Sequence, residues 1–139
     1  MKTVFADTGY WIALLNPKDD WHGRAIETSR ALGKCRLVTT EMVLDELLAA
    51  LSKVPVRGLV ISGTDAIRRN PNTEVMPQTS IQFSEAFDLY RSMPDKEWSL
   101  TDCASFVLMR QRGISEALAH DHHFEQAGFT ALLRLPIGT

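Results

Sequence analysis

The sequence predicts an α/β domain, a mainly parallel sheet with helices on both faces, and three observations carry that prediction. Short β-rich runs alternate with longer stretches of helical spacing. Recognisable start and stop residues flank the helical stretches. A chain of 139 residues can also bury a core without metal or disulfide staples.

The elements follow in order. TVFA (3–6) is the first strand. The opening MKTVFADTGYWIALL has a faint likeness to a secretory leader, but Asp7 interrupts its apolar stretch, so it reads as the first strand and helix of a cytoplasmic protein. Asp20 precedes WHGRAIETSRAL, with Trp21, Ala25 and Leu32 roughly on one helical face. RLVT (36–39) is the second strand. Thr40 then caps EMVLDELLAALSK, in which Val43, Leu47, Leu48 and Leu51 form an apolar stripe and Pro55 is the stop. Residues 56–69 are helical again, up to Arg69-Asn70-Pro71, and EVM (74–76) is the third strand. Ser80 opens IQFSEAFDLYRSM, which Pro94 ends. Ser99 and Asp102 stand in capping-box spacing before CASFVLMRQR, with Gly113 as the C-terminal stop. EALA (116–119) is a weak strand by propensity, and its place between a Gly-ended helix and a helix start argues for it more than its composition. ALLRL (131–135) supplies a last strand. Without a repeat, linker or low-complexity tract, residues 1–139 read as a single domain.

Composition narrows the function classes. Hydrophobic residues make up 45% and charged residues 23%, ordinary values for a globular protein, and no apolar run reaches membrane-span length. Fifteen basic residues against 17 acidic ones give a net charge of -2, which neither requires nor forbids a nucleic-acid partner. Cys35 and Cys103 form no zinc spacing and read as buried reduced thiols.

The acids are the informative feature. In such a sheet, functional groups gather at the carboxyl ends of the strands. Asp7 directly follows TVFA, and Asp121 holds the corresponding place after EALA. Asp102 lies in the first turn of the helix before that strand, and Glu46 lies off the apolar stripe of its helix. Singly, each has an ordinary reading: Asp7 and Asp121 as N-caps, Asp102 as the partner of Ser99, Glu46 as a solvated acid no different from Asp45 or Glu41. Together they fit a hard-cation site. Clustered carboxylates repel one another, and Mg²⁺ or Mn²⁺ removes that cost while bridging protein oxygens to a substrate phosphate. Such chemistry needs acids and metal but no nucleophilic side chain, consistent with a chain that lacks a Gly-rich phosphate loop and a GxSxG elbow.

The string LAHDHHFEQAG (118–128) suggests a transition-metal site instead, but adjacent His122 and His123 cannot face one way as an i, i+4 pair does. Its Asp-His-His is also similar to a phosphoesterase motif, whose upstream Asp-x-Asp partners are absent. Emphasis therefore passes to Asp121, with His122 at the surface and His123-Phe124 as packing residues.

Three segments resemble the PIN domains, and within them the VapC-type toxins: VFADTGYWIALLNPKD, LVTTEMVLDELLAAL and SLTDCASFVLMRQRGISEALAHDHHFEQAGF. The resemblance covers nearly the whole chain. It implies a three-layer α/β/α domain with four or five strands and a Mg²⁺- or Mn²⁺-dependent ribonuclease acting on single-stranded RNA. It further implies Asp7 and Asp102 as metal ligands, Asp121 as a ligand directly or through water, and Glu46 as the residue that orients water or completes the cluster. Thr8 matches the hydroxyl residue that follows the first Asp, and His120 stands beside the last. Two positions depart from the pattern: Gly9 where Ser is frequent and His120 where Thr is frequent. A homodimer and an antitoxin partner are implied as well. The other readings are a housekeeping RNA-processing nuclease and a catalytically silent RNA- or protein-binding module. A receiver domain would need paired acids after the first strand and a late lysine, and a haloacid-dehalogenase-like phosphatase would need an acid where Gly9 stands.

Lys53, Arg57, Arg68, Arg69, Arg110 and Arg112 are available to phosphates, and equally to solubility and helix C-termini. Tyr10 and Trp11 are candidates to stack a base, with core packing the stronger reading for Trp11.

Overall fold

The computed structural model describes residues 1–136; positions 137–139 of the expected domain lie outside the described residues. Five strands, β1 (Thr3–Ala6), β2 (Arg36–Thr40), β3 (Thr73–Met76), β4 (Glu116–Leu118) and β5 (Thr130–Ala131), form one sheet in the order β3-β2-β1-β4-β5. Every pairing is parallel. Among the described residues seven helices flank it: α1 (Thr8–Leu15), α2 (His22–Leu32), α3 (Glu41–Ala50), α4 (Val54–Arg69), α5 (Ser80–Ser92), α6 (Leu100–Arg112) and α7 (His122–Gln126).

The central strands owe their form to burial. Val4, Phe5 and Ala6 are inaccessible to solvent, as a parallel strand covered on both faces requires. Ala117, Leu118 and Ala119 are equally buried, so neighbours and not propensity make β4 a strand. The chain order reverses direction across β1 and β4, which leaves a crevice beyond their carboxyl ends, where α/β sheets bind ligands. Among the described residues no helix is long and apolar enough to cross a membrane.

The caps largely follow expectation. Thr40 accepts a hydrogen bond from the Val43 N–H, both halves of the Ser99–Asp102 box form, and Gly113 ends α6 at a φ of 66° in the left-handed region. Cys35 and Cys103 are free thiols.

Several boundaries differ from the sequence reading. Asp20 is exposed and does not cap α2; Asp19 Oδ2 accepts the Trp21 N–H at 2.9 Å, and the helix begins at His22. Pro55 does not stop α3, which ends at Ala50; it sits in the first turn of α4, where its missing N–H costs nothing. Leu48 turns outward from the expected stripe. Thr79, one residue before Ser80, caps α5. ALLRL is a strand only at Ala131; Leu132–Arg134 wind into a 3₁₀ turn. An edge strand sends alternate residues to opposite faces, whereas the tight turn buries both Leu132 and Leu133. The Leu133 N–H still reaches the Ala119 carbonyl at 3.2 Å, which carries the pairing with the β4 segment past the end of β5.

Candidate active site

Asp7 and Asp121 stand on the two sides of the crevice. Asp7 follows β1, and its backbone N–H donates to the Leu118 carbonyl of β4 at 3.1 Å. It occupies the N-cap position of α1 yet makes no side-chain capping bond, so capping does not explain it. Asp121 does cap α7: its Oδ1 accepts the His123 N–H at 2.9 Å. Asp102 reaches in from the first turn of α6, accepting the Ser99 N–H at 3.1 Å. Glu46 reaches in from α3, where its Oε1 accepts the Thr8 hydroxyl at 2.6 Å. Thr8 thus ties the helix that follows Asp7 to the acid of α3. Asp45 and Glu41 are exposed, and Glu41 is engaged by the Gln78 N–H, so the structure separates Glu46 from its two neighbours.

The charges of the other three acids all act on Asp7. Asp7 is 6% exposed and Asp102 8%. Burial foremost, then the charges of Asp102, Glu46 and Asp121, push the Asp7 carboxyl up to about 8, against a lowering by the Thr8 N–H. Asp102 is also raised, first by burial and then by Asp121, while the Ser99 N–H and His123 work the other way.

A pKa raised above its unfolded value means that the native state holds the proton more tightly. Its stabilisation is complete below the unfolded value of 3.8 and is lost as pH rises through about 8. The metal-free protein should therefore lose on the order of a few kcal/mol of stability between about pH 4 and pH 8. The pairs Glu74–Arg112 and Asp95–Lys96, whose acids are lowered by hydrogen bonding to the base, act in the opposite sense but only in the more acidic range. Denaturant melts at constant ionic strength would read the slope, and a flat or rising stability would contradict the packing of charges described here.

His123, which the sequence reading assigned to packing, touches two of the candidate acids. Its Nδ1 lies 3.2 Å from Asp102 Oδ2 and 3.2 Å from Asp121 Oδ1, bridging two acids that are 19 positions apart in the chain. Ionised carboxylates only accept, so the hydrogen in this arrangement sits on Nδ1. The available signal was its position two residues past Asp121, in the first turn of a helix that Asp121 caps. Phe124, the next residue, is the packing anchor: it is fully buried against Phe106, at 4.9 Å and 87°, and Phe5. His122 is exposed, with its Nδ1 3.5 Å from Asp121 Oδ1.

The two departures from the family pattern explain each other. A Cβ at Gly9 would fall 2.7 Å from the His120 Nε2, so the bare backbone makes room for the larger ring. Gly9→Ser should destabilise the fold by about 1–3 kcal/mol through overpacking. Adding His120→Thr should recover most of that loss, and strict additivity in a double-mutant cycle would contradict the coupling.

The sequence's other candidates lie in ordinary structural roles. Tyr10 and Trp11 are buried, Tyr10 sharing a hydrogen bond with Ser29 and Trp11 donating to Thr39, so neither presents a face for a base. Arg112 pairs with Glu74 at 2.8 Å, Arg110 donates to the Ala127 carbonyl, and Arg57 donates to the Ser52 carbonyl. Arg68 and Arg69 complete the last turn of α4, and Lys53 stands at its N-cap.

Comparison with known proteins decides the family. The PIN-domain profile matches residues 4–130. The chain belongs to the PIN-domain family. It is 30% identical over 129 residues to the 23S rRNA-specific endonuclease VapC20 of Mycobacterium tuberculosis, in strains CDC 1551 / Oshkosh and ATCC 25618 / H37Rv, covering 91% of this chain and 95% of that protein. The crystal structure of M. tuberculosis VapC20, described as a Sarcin-Ricin loop cleaving toxin, superposes with a TM-score of 0.84 over 92% of this chain and 97% of that one, at 30% identity.

The donor set of this PIN fold suits a hard divalent cation. Four carboxylates supply oxygen, and Asp7, buried and pushed toward its neutral form, is the group that a cation would relieve most. Asp121, His122 and His123 form a further set of ligand atoms within 4.8 Å of one another at the rim.

Proposed function

We propose that this chain is a Mg²⁺- or Mn²⁺-dependent endoribonuclease that cuts single-stranded RNA and serves as the toxin of a toxin–antitoxin pair, acting in the cytoplasm as a homodimer. The carrying observation is the convergence of Asp7, Glu46, Asp102 and Asp121 at the sheet's switch point, with two of them held against their own charge. The likeness to VapC20 supports the same reading.

In this reading Asp7 and Asp102 hold the cation, and Asp121 holds it directly or through water. A bound divalent ion would supply stabilisation for charge developing on the phosphodiester oxygens. Glu46 gives one oxygen to Thr8, which fixes its rotamer, and keeps the other for the attacking water. His123 braces Asp102 and Asp121 at their present separation. The whole of residues 1–139 acts as one PIN-like domain.

Purified protein incubated with single-stranded RNA should cut it with Mg²⁺ or Mn²⁺ and stop when the ions are chelated; cutting that persists in chelator would overturn the metal-dependent reading. Induced expression should arrest growth, and co-expression of the adjacent gene product should relieve the arrest. Normal growth would favour a housekeeping nuclease.

A further inference from the structure

Trp21 and His120 come from distant parts of the chain and meet as parallel rings, with centroids 4.7 Å apart and planes 7° apart. Trp21 closes the loop into α2, its backbone held by Asp19. His120 immediately precedes Asp121, and its ring edge lies against Gly9, two residues beyond Asp7. The stacked pair therefore borders the acidic crevice on the chain segments that carry Asp7 and Asp121. Unlike Phe5, Phe106 and Phe124, which are sealed into the core, both rings keep part of their surface in solvent.

Two arginines reach the segments around this pair. Arg134 Nη1 donates to the His120 carbonyl at 3.3 Å while its Nε pairs with Glu125 at 2.8 Å, and Arg24, one helical turn beyond Trp21, donates from Nε to the Leu133 carbonyl at 2.9 Å. A flat, partly exposed aromatic surface with arginines on the neighbouring segments suits an unpaired base whose phosphates run alongside. We propose that Trp21 and His120 form a stacking shelf for an unpaired nucleobase next to the scissile phosphodiester. This rests on the ribonuclease reading for its substrate and takes over the role for which the sequence offered Tyr10 and Trp11.

Stacking acts on binding, so the test measures binding apart from cutting. The full chain carrying Asp102→Asn, which by the reading above leaves RNA intact, is titrated with a labelled single-stranded RNA oligonucleotide and followed by anisotropy and tryptophan fluorescence. Adding Trp21→Leu should raise the Kd about tenfold or more and remove most of the quenching, since Trp11 and Trp98 are buried. Trp21→Phe, which keeps a ring, should stay near the parent value. If Trp21→Leu fails to fold, His120→Ala should raise the Kd in the same way, read by anisotropy. An unchanged Kd in the ring-deleted chain overturns the shelf, and the ribonuclease reading survives if the wild type still cuts RNA. Shelf-dependent binding with no metal-dependent cutting by the wild type supports the shelf and overturns that reading. No binding by the parent overturns the shelf.

Discussion

Asp7→Asn is expected to reduce RNA cleavage by about 100-fold or more while making the metal-free protein more stable at neutral pH. The first effect follows from losing a charged ligand at the centre of the cluster. The second follows from burial: Asp7 is held against its charge by desolvation and three neighbouring acids, and the amide has no charge to bury. The variant should also lose much of the fall in stability between about pH 4 and pH 8 that the wild type shows without metal. Activity and stability moving in opposite directions is a sharper signature than loss of activity alone, because a damaged fold loses both. Chevron or melting data at two pH values, alongside a cleavage time course, would measure it. A variant that is less stable than wild type at neutral pH would count against the charge cluster.

Phe124→Ala is expected to cost about 3–5 kcal/mol, the range for emptying a buried aromatic site. The ring has no solvent exposure and packs edge-on to Phe106. The consequence reaches the site because α7 has five residues and cannot persist on its own. Phe124, helped by the bond from Trp98 Nε1 to Gln126 Oε1 at 3.0 Å, keeps that helix in place. Asp121 and His123 should lose their positions along with it, so cation affinity should fall even where the variant remains folded. Phe124→Leu, which refills most of the volume, should restore the greater part of both. Equilibrium unfolding with and without Mn²⁺ would separate the two losses, and an unchanged Mn²⁺ response in a folded Phe124→Ala chain would contradict the link.

Much of the arrangement is legible in the sequence because strand-end acids and capping patterns are local signals. The Asp7 and Asp121 positions follow from strands β1 and β4, and the Ser99–Asp102 box is visible in four consecutive residues. Residue pattern alone left Glu46 no different from Asp45 and Glu41, and it is the Thr8 bond, made across 38 positions, that singles it out. What escaped reading depends on contacts between distant residues. His123 looks like part of an ordinary packing motif until Asp102 is brought to 3.2 Å from it. Trp21 carries no sign of its ring partner, which lies 99 positions along the chain. ALLRL misled because a run of apolar residues states only that burial is needed, and a 3₁₀ turn meets that need as well as a strand.

The central claim is that these four carboxylates form one divalent-cation site, and calorimetric titration of Mn²⁺ into the metal-free protein tests it most directly. Wild type and Asp45→Asn, whose change lies on the exposed face of α3, should bind alike, and at pH 7 binding should release protons, as buffers of different ionisation enthalpy would show. Asp7→Asn should bind far more weakly and release fewer protons. Equal affinity and equal proton release in Asp7→Asn and wild type would contradict the account.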